Sequence, residues 1–276
     1  MNWLITGGCG FIGRALIDYL QKHGVRSGRI RVLDNLSVGS VEDLQMVAMP
    51  RTGDAGWSEQ DVGCALYVGD IRDPGAVGRA MNGANCVVHL AACTGVQPSL
   101  DDPRFDCETN VLGTFNCLDA ARAAGATRFI FASSGAPLGS VTPPIHEELA
   151  PHPISPYGAS KLAGEGYCSA YFHSFGLSTT ALRFGNVYGP LSSRKSSIVA
   201  KFIRQALSGQ TFEIYGDGSA TRDYIFIDKF EPTMRVEGGM NDSAEEAKEN
   251  ASTSFINNVM FQFGPDGFVM GLPRGN

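Results

Sequence analysis

Trp3-Leu4-Ile5-Thr6-Gly7-Gly8-Cys9-Gly10-Phe11-Ile12-Gly13 is the stretch on which the reading of this chain turns. A short strand-like run leads into glycines spaced GxxGxxG, and an amphipathic run through Leu20 follows. Glycine at such places lets the backbone turn tightly and lets N–H groups approach a pyrophosphate at the positive end of the next helix. The spacing differs slightly from GxGxxG, and a glycine triplet alone is a weak signal because turns use glycine anyway. Its place between strand and helix strengthens it, as does Asp34 at the end of the next strand-like run. A carboxylate there would accept hydrogen bonds from the adenosine ribose and repel a 2'-phosphate, which favours NAD over NADP. Arg14 and Arg31 lie close in sequence and count against that preference, and a solvated turn aspartate is the plain alternative. Asp70, in Gly69-Asp70-Ile71 after a third strand-like run, could contact the adenine edge or simply close a turn.

Outward from this stretch, strand-like runs at 3–6, 30–33, 65–68, 86–90, 128–132 and 178–184 alternate with helical patterns. Six parallel strands with crossover helices on both faces follow, an α/β doubly wound sheet of the Rossmann type. The clearest helix spans 103–124, where Val111, Leu112, Phe115, Leu118 and Ala121 recur at helical spacing before Gly125. Residues 50–62 read as a surface insertion without periodicity, and prolines at 143, 144, 151, 153 and 156 punctuate a loop leading into a helix near Tyr157. The 276 residues suit one large domain with a small lobe.

With 22 Lys+Arg against 28 Asp+Glu, the net charge of -6 offers no basic face, so nucleic acid and membrane surfaces are poor partners. The seven cysteines are scattered without a CxxC pair and read as reduced, mostly buried thiols rather than a metal site. No basic leader or long apolar segment stands out, and a cytoplasmic location is expected.

Tyr157-Gly158-Ala159-Ser160-Lys161 places a phenol and an ammonium four residues apart, on one face of a helix. A phenol is a poor base at neutral pH, but a lysine charge and a nicotinium charge both favour the phenolate. The pair alone could equally be an exposed helix pair.

In context the chain resembles the extended short-chain dehydrogenase/reductase family, in its NAD-dependent nucleotide-sugar epimerase/dehydratase branch (UDP-glucose 4-epimerase-like), over about residues 2–228. The likeness rests on the glycine turn, Gly69-Asp70-Ile71-Arg72-Asp73, His89-Leu90-Ala91-Ala92, Asn110-Val111-Leu112-Gly113-Thr114, Ser133-Ser134 and Tyr157 to Lys161. Arg183-Phe184-Gly185-Asn186-Val187-Tyr188-Gly189-Pro190 and Tyr215-Gly216-Asp217-Gly218 through Arg222-Asp223-Tyr224 complete it.

The resemblance implies that Ser134 hydrogen-bonds the reacting sugar hydroxyl, Tyr157 removes its proton, and Lys161 holds the nicotinamide ribose and tunes the tyrosine. It implies NAD contacts at Gly7, Gly10, Phe11, Ile12, Gly13, Asp34, Asn35, Asp70, Ile71, Leu90, Ala91, Ala92, Tyr157, Lys161 and Phe184. Substrate contacts would come from Thr94, Ser134, Tyr157, Asn186 and Arg222, an Arg fork suiting a diphosphate. The plain alternatives are a strand-end serine at Ser134 and core alanines at Ala91 and Ala92; Asn110, which could help fix the active-site geometry, reads rather as a satisfied structural residue, and His89 as a hydrogen-bonded core histidine. A homodimer through the helices after Pro103 and from Tyr157 is implied as well.

Dehydratases and decarboxylases of this branch carry an acid just after the strand-end Ser/Thr, whereas this chain reads Ser134-Gly135-Ala136-Pro137-Leu138, and Leu138 stands where a tyrosine is usual. Epimerisation of a UDP-hexose at carbon 4 is therefore expected over elimination. The expected division is an NAD-binding domain over 1–190, to which about 221–228 return, and a nucleotide-sugar lobe over 191–276. From about 229 the chain departs from the family, with an acidic patch at 245–249 and a possible hairpin over 255–270, so the lobe is expected to be incomplete. Two other readings stay open: a non-catalytic NAD-binding protein with an interaction role, and a net nucleotide-sugar oxidoreductase or dehydratase.

Overall fold

Every side chain of strand β1 (Trp3–Thr6) is buried, and so is every one in β2 (Ile30–Asp34) and β5 (Cys86–His89), so these strands need cover on both faces. The computed structural model describes residues 1–52, 56–58, 60, 63–142, 145–192, 197–211 and 224–227, together with the backbone of 259–263. In it β3 (Pro50–Thr52), β4 (Cys64–Val68), β6 (Arg128–Ser134), β7 (Ser178–Phe184) and β10 (Val259–Phe263) join the three strands in one sheet of order β10-β7-β6-β5-β1-β2-β4-β3. All pairings are parallel except that of β10 with β7. β8 (Asn186–Tyr188) and β9 (Tyr224–Phe226) form a separate parallel pair.

Successive side chains of each strand serve opposite layers. Trp3, Ile5, Val32, Val88 and Ile130 pack with Leu16, Ile17 and Leu20 of helix α1 (Phe11–Lys22). Leu4, Leu33, Val87, Phe129 and Phe131 face the other layer. There they meet Val77 of α3 (Pro74–Met81), Leu118 of α6 (Gly113–Ala123) and Cys168 of α7 (Pro156–Phe175). Short helices α2 (Val41–Gln45), α4 (Val96–Asp101) and α5 (Pro103–Cys107) and the later α8 (Ile198–Leu207) complete the set. Val187 of β8 and Ile227, just after β9, enter the α1-side core.

The α7 helix starts sharply because Ser155 accepts the Gly158 N–H and Pro156 occupies its first turn, and it stops at Gly176 in the left-handed region (φ 72). All seven cysteines are free: Cys9, Cys64, Cys86, Cys117 and Cys168 are buried, Cys93 is half-buried and Cys107 exposed. No helix among the described residues is long and apolar enough to cross a membrane.

The structure corrects four expectations. Seven strands run parallel rather than six, because 50–52, read as part of a surface insertion, pairs with β4 as an edge strand. Farther along the same segment, Trp57 packs on the Arg31 guanidinium at 3.9 Å and donates to Asn82 O, so it is anchored to the core. The sixth strand extends to Ser134 rather than stopping at 132. The helix expected over 103–124 is interrupted by a π-helical turn at Glu108–Leu112. Of the possible C-terminal hairpin, 259–263 forms a strand on β7, and its return arm lies outside the described residues.

Candidate functional site

Strand order reverses between β1 and β5, and in an open parallel sheet a crevice opens at the carboxyl ends of the strands on either side of such a switch. The glycine turn leaves β1 here, and Leu90-Ala91-Ala92 leaves β5 beside it, with Leu90 N and Ala91 N donating to Thr6 O and Thr6 Oγ1 at 3.1 and 3.2 Å. Gly7 has φ +70, and a Cβ there would lie 2.7 Å from Ala91 N. A Cβ on Gly13 would lie 2.5 Å from Gly8 Cα, so only glycine lets α1 approach the turn this closely. Gly10 caps α1 without a side-chain hydrogen bond, and Phe11 and Ile12 open the helix half-buried. The helix therefore presents its first N–H groups at the crevice, a cradle of the right form for a pyrophosphate.

Asp34 ends β2 at 8% exposure, its Oδ2 accepting Cys9 N at 2.9 Å and its Oδ1 accepting Leu36 N at 2.8 Å. Burial pushes its carboxyl up against the pull of these two donors. Each oxygen keeps a lone pair for a ribose hydroxyl, so the residue ties the turn together and still fits the ribose. The doubt raised by the two neighbouring arginines falls away. Arg14 donates to Leu191 O at 2.7 Å, and Arg31 donates to Ala80 O and Asn82 O between the Trp57 and Tyr67 rings. Next to Asp34, exposed Asn35 donates to Asp70 Oδ2. Arg72 grips the same carboxylate through Nε, Nη2 and its backbone N–H, holding Asp70 down at about 2. Asp70 thus closes a turn at the mouth of the cleft, with buried Ile71 behind it.

Ser134 ends β6, in register with Phe184 at the end of β7. Tyr157, in the first turn of α7, lies beside the Ser134 side chain. Lys161 lies one turn on, with Nζ 5.9 Å from the centre of the Tyr157 ring and donating to Ala132 O at 2.8 Å. Burial pushes Tyr157 up and Lys161 down, the latter to about 8. The three side chains expected from the sequence are therefore one cluster at the carboxyl edge of the sheet. Thr94, on the loop after β5, and Asn186, at the start of β8, are exposed. Arg222 lies outside the described residues.

One tether escaped the sequence reading, and another, at Asn110, falls on a residue that reads as structural. Glu165, one turn beyond Lys161, accepts Ser133 Oγ at 2.5 Å and Arg183 Nε and Nη2 at 2.8 and 2.7 Å, all three residues being buried. The α7 positions 161 and 165 thus hold residues 132 and 133 of β6, and 157 stands beside 134. Their four-residue spacing after the Tyr/Lys pair was the available signal. Asn110, in the π-turn, accepts Cys93 N at 2.8 Å and donates to Cys93 O at 2.9 Å. It also donates to Asp106 Oδ1 at 2.8 Å. His89 is a core histidine as read, bonded to Thr6 Oγ1 and Thr114 Oγ1 and held neutral by burial at about 3. Among the described residues no group of His, Cys, Asp or Glu could hold a metal ion.

The chain is similar to known proteins along most of its length. The chain is 38% identical over 238 residues to a UDP-glucose 4-epimerase of Mycolicibacterium smegmatis, spanning 83% of this chain and 70% of that one. It is 34% identical to a dTDP-glucose 4,6-dehydratase of Streptomyces antibioticus, over 83% of this chain and 65% of the relative. The crystal structure of the Thermus thermophilus UDP-glucose 4-epimerase in complex with NAD superposes with a TM-score of 0.73 at 33% identity, over 87% of this chain and 75% of that one. The profile of the NAD dependent epimerase/dehydratase family matches residues 3–230, which take in both the glycine cradle and the Ser134–Tyr157–Lys161 cluster, and the chain belongs to that NAD-dependent family.

Proposed function

We propose that this chain is an NAD-dependent nucleotide-sugar 4-epimerase acting on a UDP-hexose. The observation that carries the reading is the Ser134–Tyr157–Lys161 cluster beside a glycine cradle, with no carboxylate at 135–138 to drive an elimination. Relatives in both reaction classes support the shared chemistry, and the missing acid favours epimerisation.

NAD, when bound, supplies the hydride acceptor and donor. With Ser134 beside Tyr157, a sugar hydroxyl would be held between their two oxygens for proton transfer. Tyr157 Oη takes the hydroxyl proton as carbon 4 is oxidised and returns it when the opposite face is reduced, so the residue is unchanged over a cycle. Burial holds the free phenol protonated, and it becomes a base when positive charge stands near it, from Lys161 and from the cofactor ring. Lys161 spends one donor on Ala132 O and keeps its other two for the nicotinamide ribose. Exposed Thr94 and Asn186 are assigned to the sugar nucleotide, and Arg222 to its diphosphate. The NAD-binding part is assigned to 1–190, to which about 221–228 and the strand at 259–263 return, and the sugar lobe to the rest of 191–276.

A homodimer belongs to the same reading. Leu112 (53% exposed), Phe115 (37%) and Tyr167 (39%) leave an apolar face on the paired helices, which a second copy would cover. Sedimentation at the monomer mass overturns it.

The test is proton NMR of the protein with NAD and UDP-glucose. A second anomeric signal without net NADH, absent in Tyr157→Phe, is the expected result. Bound NAD with no conversion across a panel of UDP-hexoses would favour the second reading, a non-catalytic NAD-binding protein. That reading draws on the family match ending at residue 230.

A further inference from the structure

Lys161 is 3% exposed, and an ammonium taken so far from water needs something in place of its hydration shell. One donor goes to Ala132 O at 2.8 Å. Among the described residues no carboxylate forms an ion pair with it, and Glu165, the acid one turn on, is held by Arg183 and Ser133. What lies against the ammonium is a ring. Nζ stands over Phe131 of β6, 5.0 Å from the ring centre. The negative face of an aromatic ring offsets lost hydration without taking an N–H. Nζ therefore keeps two donors for the nicotinamide ribose, where a paired carboxylate would occupy at least one of them.

Two neighbours fix the ring in this place. His89, the register partner of Phe131 on β5, lies alongside it with centroids 6.0 Å apart and planes at 19°. On the helix side, Gly164 follows Lys161 by three residues and shares its face of α7. A Cβ on Gly164 would collide with Cζ of Phe131 and lie 2.7 Å from Cε1. Glycine in the interior of a 20-residue helix weakens it relative to alanine, and what position 164 gains in exchange is room for the ring.

We propose that Phe131 is a positioning residue for Lys161: its ring, admitted against α7 by Gly164, carries the ammonium beside Tyr157 and leaves the N–H donors to Ala132 O and the cofactor. The inference deepens the catalytic assignment of Lys161 and rests on it, while the contact itself is testable without a sugar. The charged and titratable groups around Lys161 stay as they are when the ring is changed. They are Asp106 of α5, Tyr157 and Glu165 of α7 with Arg183 of β7 bound to Glu165, the Cys93 thiol after β5, and His89, which burial keeps neutral.

Carbon-13 NMR of the NAD-loaded protein, labelled at lysine Cε, reads the ionisation of Lys161 as the signal absent from Lys161→Met. In Phe131→Leu that signal should titrate at lower pH, with at least about a fivefold larger ionisation constant, because the ammonium loses the ring and stays buried. Gly164→Ala, which keeps both residues but pushes the ring aside, should move it the same way. Phe129→Leu is the control: Phe129 is buried on the same face of β6, 5.7 Å from the His89 ring, and its loss should change the constant less than about twofold. An unmoved or raised midpoint in Phe131→Leu, or an equal fall in Phe129→Leu, overturns the proposal. Should Phe131→Leu fail to fold, Gly164→Ala decides, and an unmoved midpoint there overturns it. Sugar conversion is measured separately, so a protein that binds NAD and turns over nothing refutes the epimerase reading and leaves this result intact.

Discussion

The glycine turn after β1 and the pocket around Tyr157 occupy one edge of one sheet, yet they are made of different materials. The turn is backbone, and its fit depends on side chains that are absent: a Cβ on Gly7 would come within 2.7 Å of Ala91 N, and one on Gly13 within 2.5 Å of Gly8 Cα. The pocket is side chain, with Asp106, Lys161, Glu165 and Arg183 all buried beneath Tyr157 and Ser134. A site of the first kind fails by collision. A site of the second kind fails when a charge loses its partner, and it carries its own pH dependence.

Substitutions can separate the two. The largest effect is expected from Tyr157→Phe, which should lower kcat by about 10³-fold, some 4 kcal/mol of barrier, while NAD affinity by calorimetry changes less than about threefold. A comparable loss of NAD affinity would merge pocket and turn into one unit. Next comes Glu165→Ala, which strands the Arg183 guanidinium in the core and should cost about 3 kcal/mol or more in urea unfolding. The double replacement Glu165→Met with Arg183→Met should recover most of that, and failure to recover would show that the pair contributes more than charge cancellation.

Gly7→Ala should be milder for stability, about 1–3 kcal/mol of backbone strain, but should weaken NAD binding at least about tenfold at every pH. A pH-dependent loss would break the contrast between the two regions. The smallest effect concerns Lys161, whose ammonium is shifted by burial from 10.5 to about 8. The unfolded chain therefore binds more protons between these values, so the cost of burying the charge is present in full below about pH 8 and fades as pH rises toward 10.5. Urea midpoints of wild type should accordingly gain on those of Lys161→Met between about pH 8 and 10, and parallel curves would show that Lys161 titrates normally.

The same contrast explains what could be read beforehand. Strands buried on both faces read as continuous apolar runs, and a glycine turn announces itself by composition, so sheet and cradle were legible. The edge strand at 50–52 was not, because Pro-Arg-Thr carries no apolar pattern and is held by backbone pairing to β4. The π-turn was equally hidden, since Val111 within it and Phe115 and Leu118 after it keep helical spacing. Tyr157 and Lys161 stood out by their separation. Asp106 and Glu165 did not, because an acid on a helix is by default solvated and only the packed fold shows each one enclosed.

The free thiols give the molecule a clock of its own. An alkylating reagent added to the native protein should mark exposed Cys107 at once and half-buried Cys93 later. The rest wait on opening of the structure, since burial also holds the Cys64 and Cys86 thiols up near 11 and 12. Cys9 sits in the glycine turn, Cys64 and Cys86 in the sheet, and Cys117 and Cys168 in α6 and α7. The sequence in which those five labels arrive is the order in which cradle, sheet and helical layer come apart.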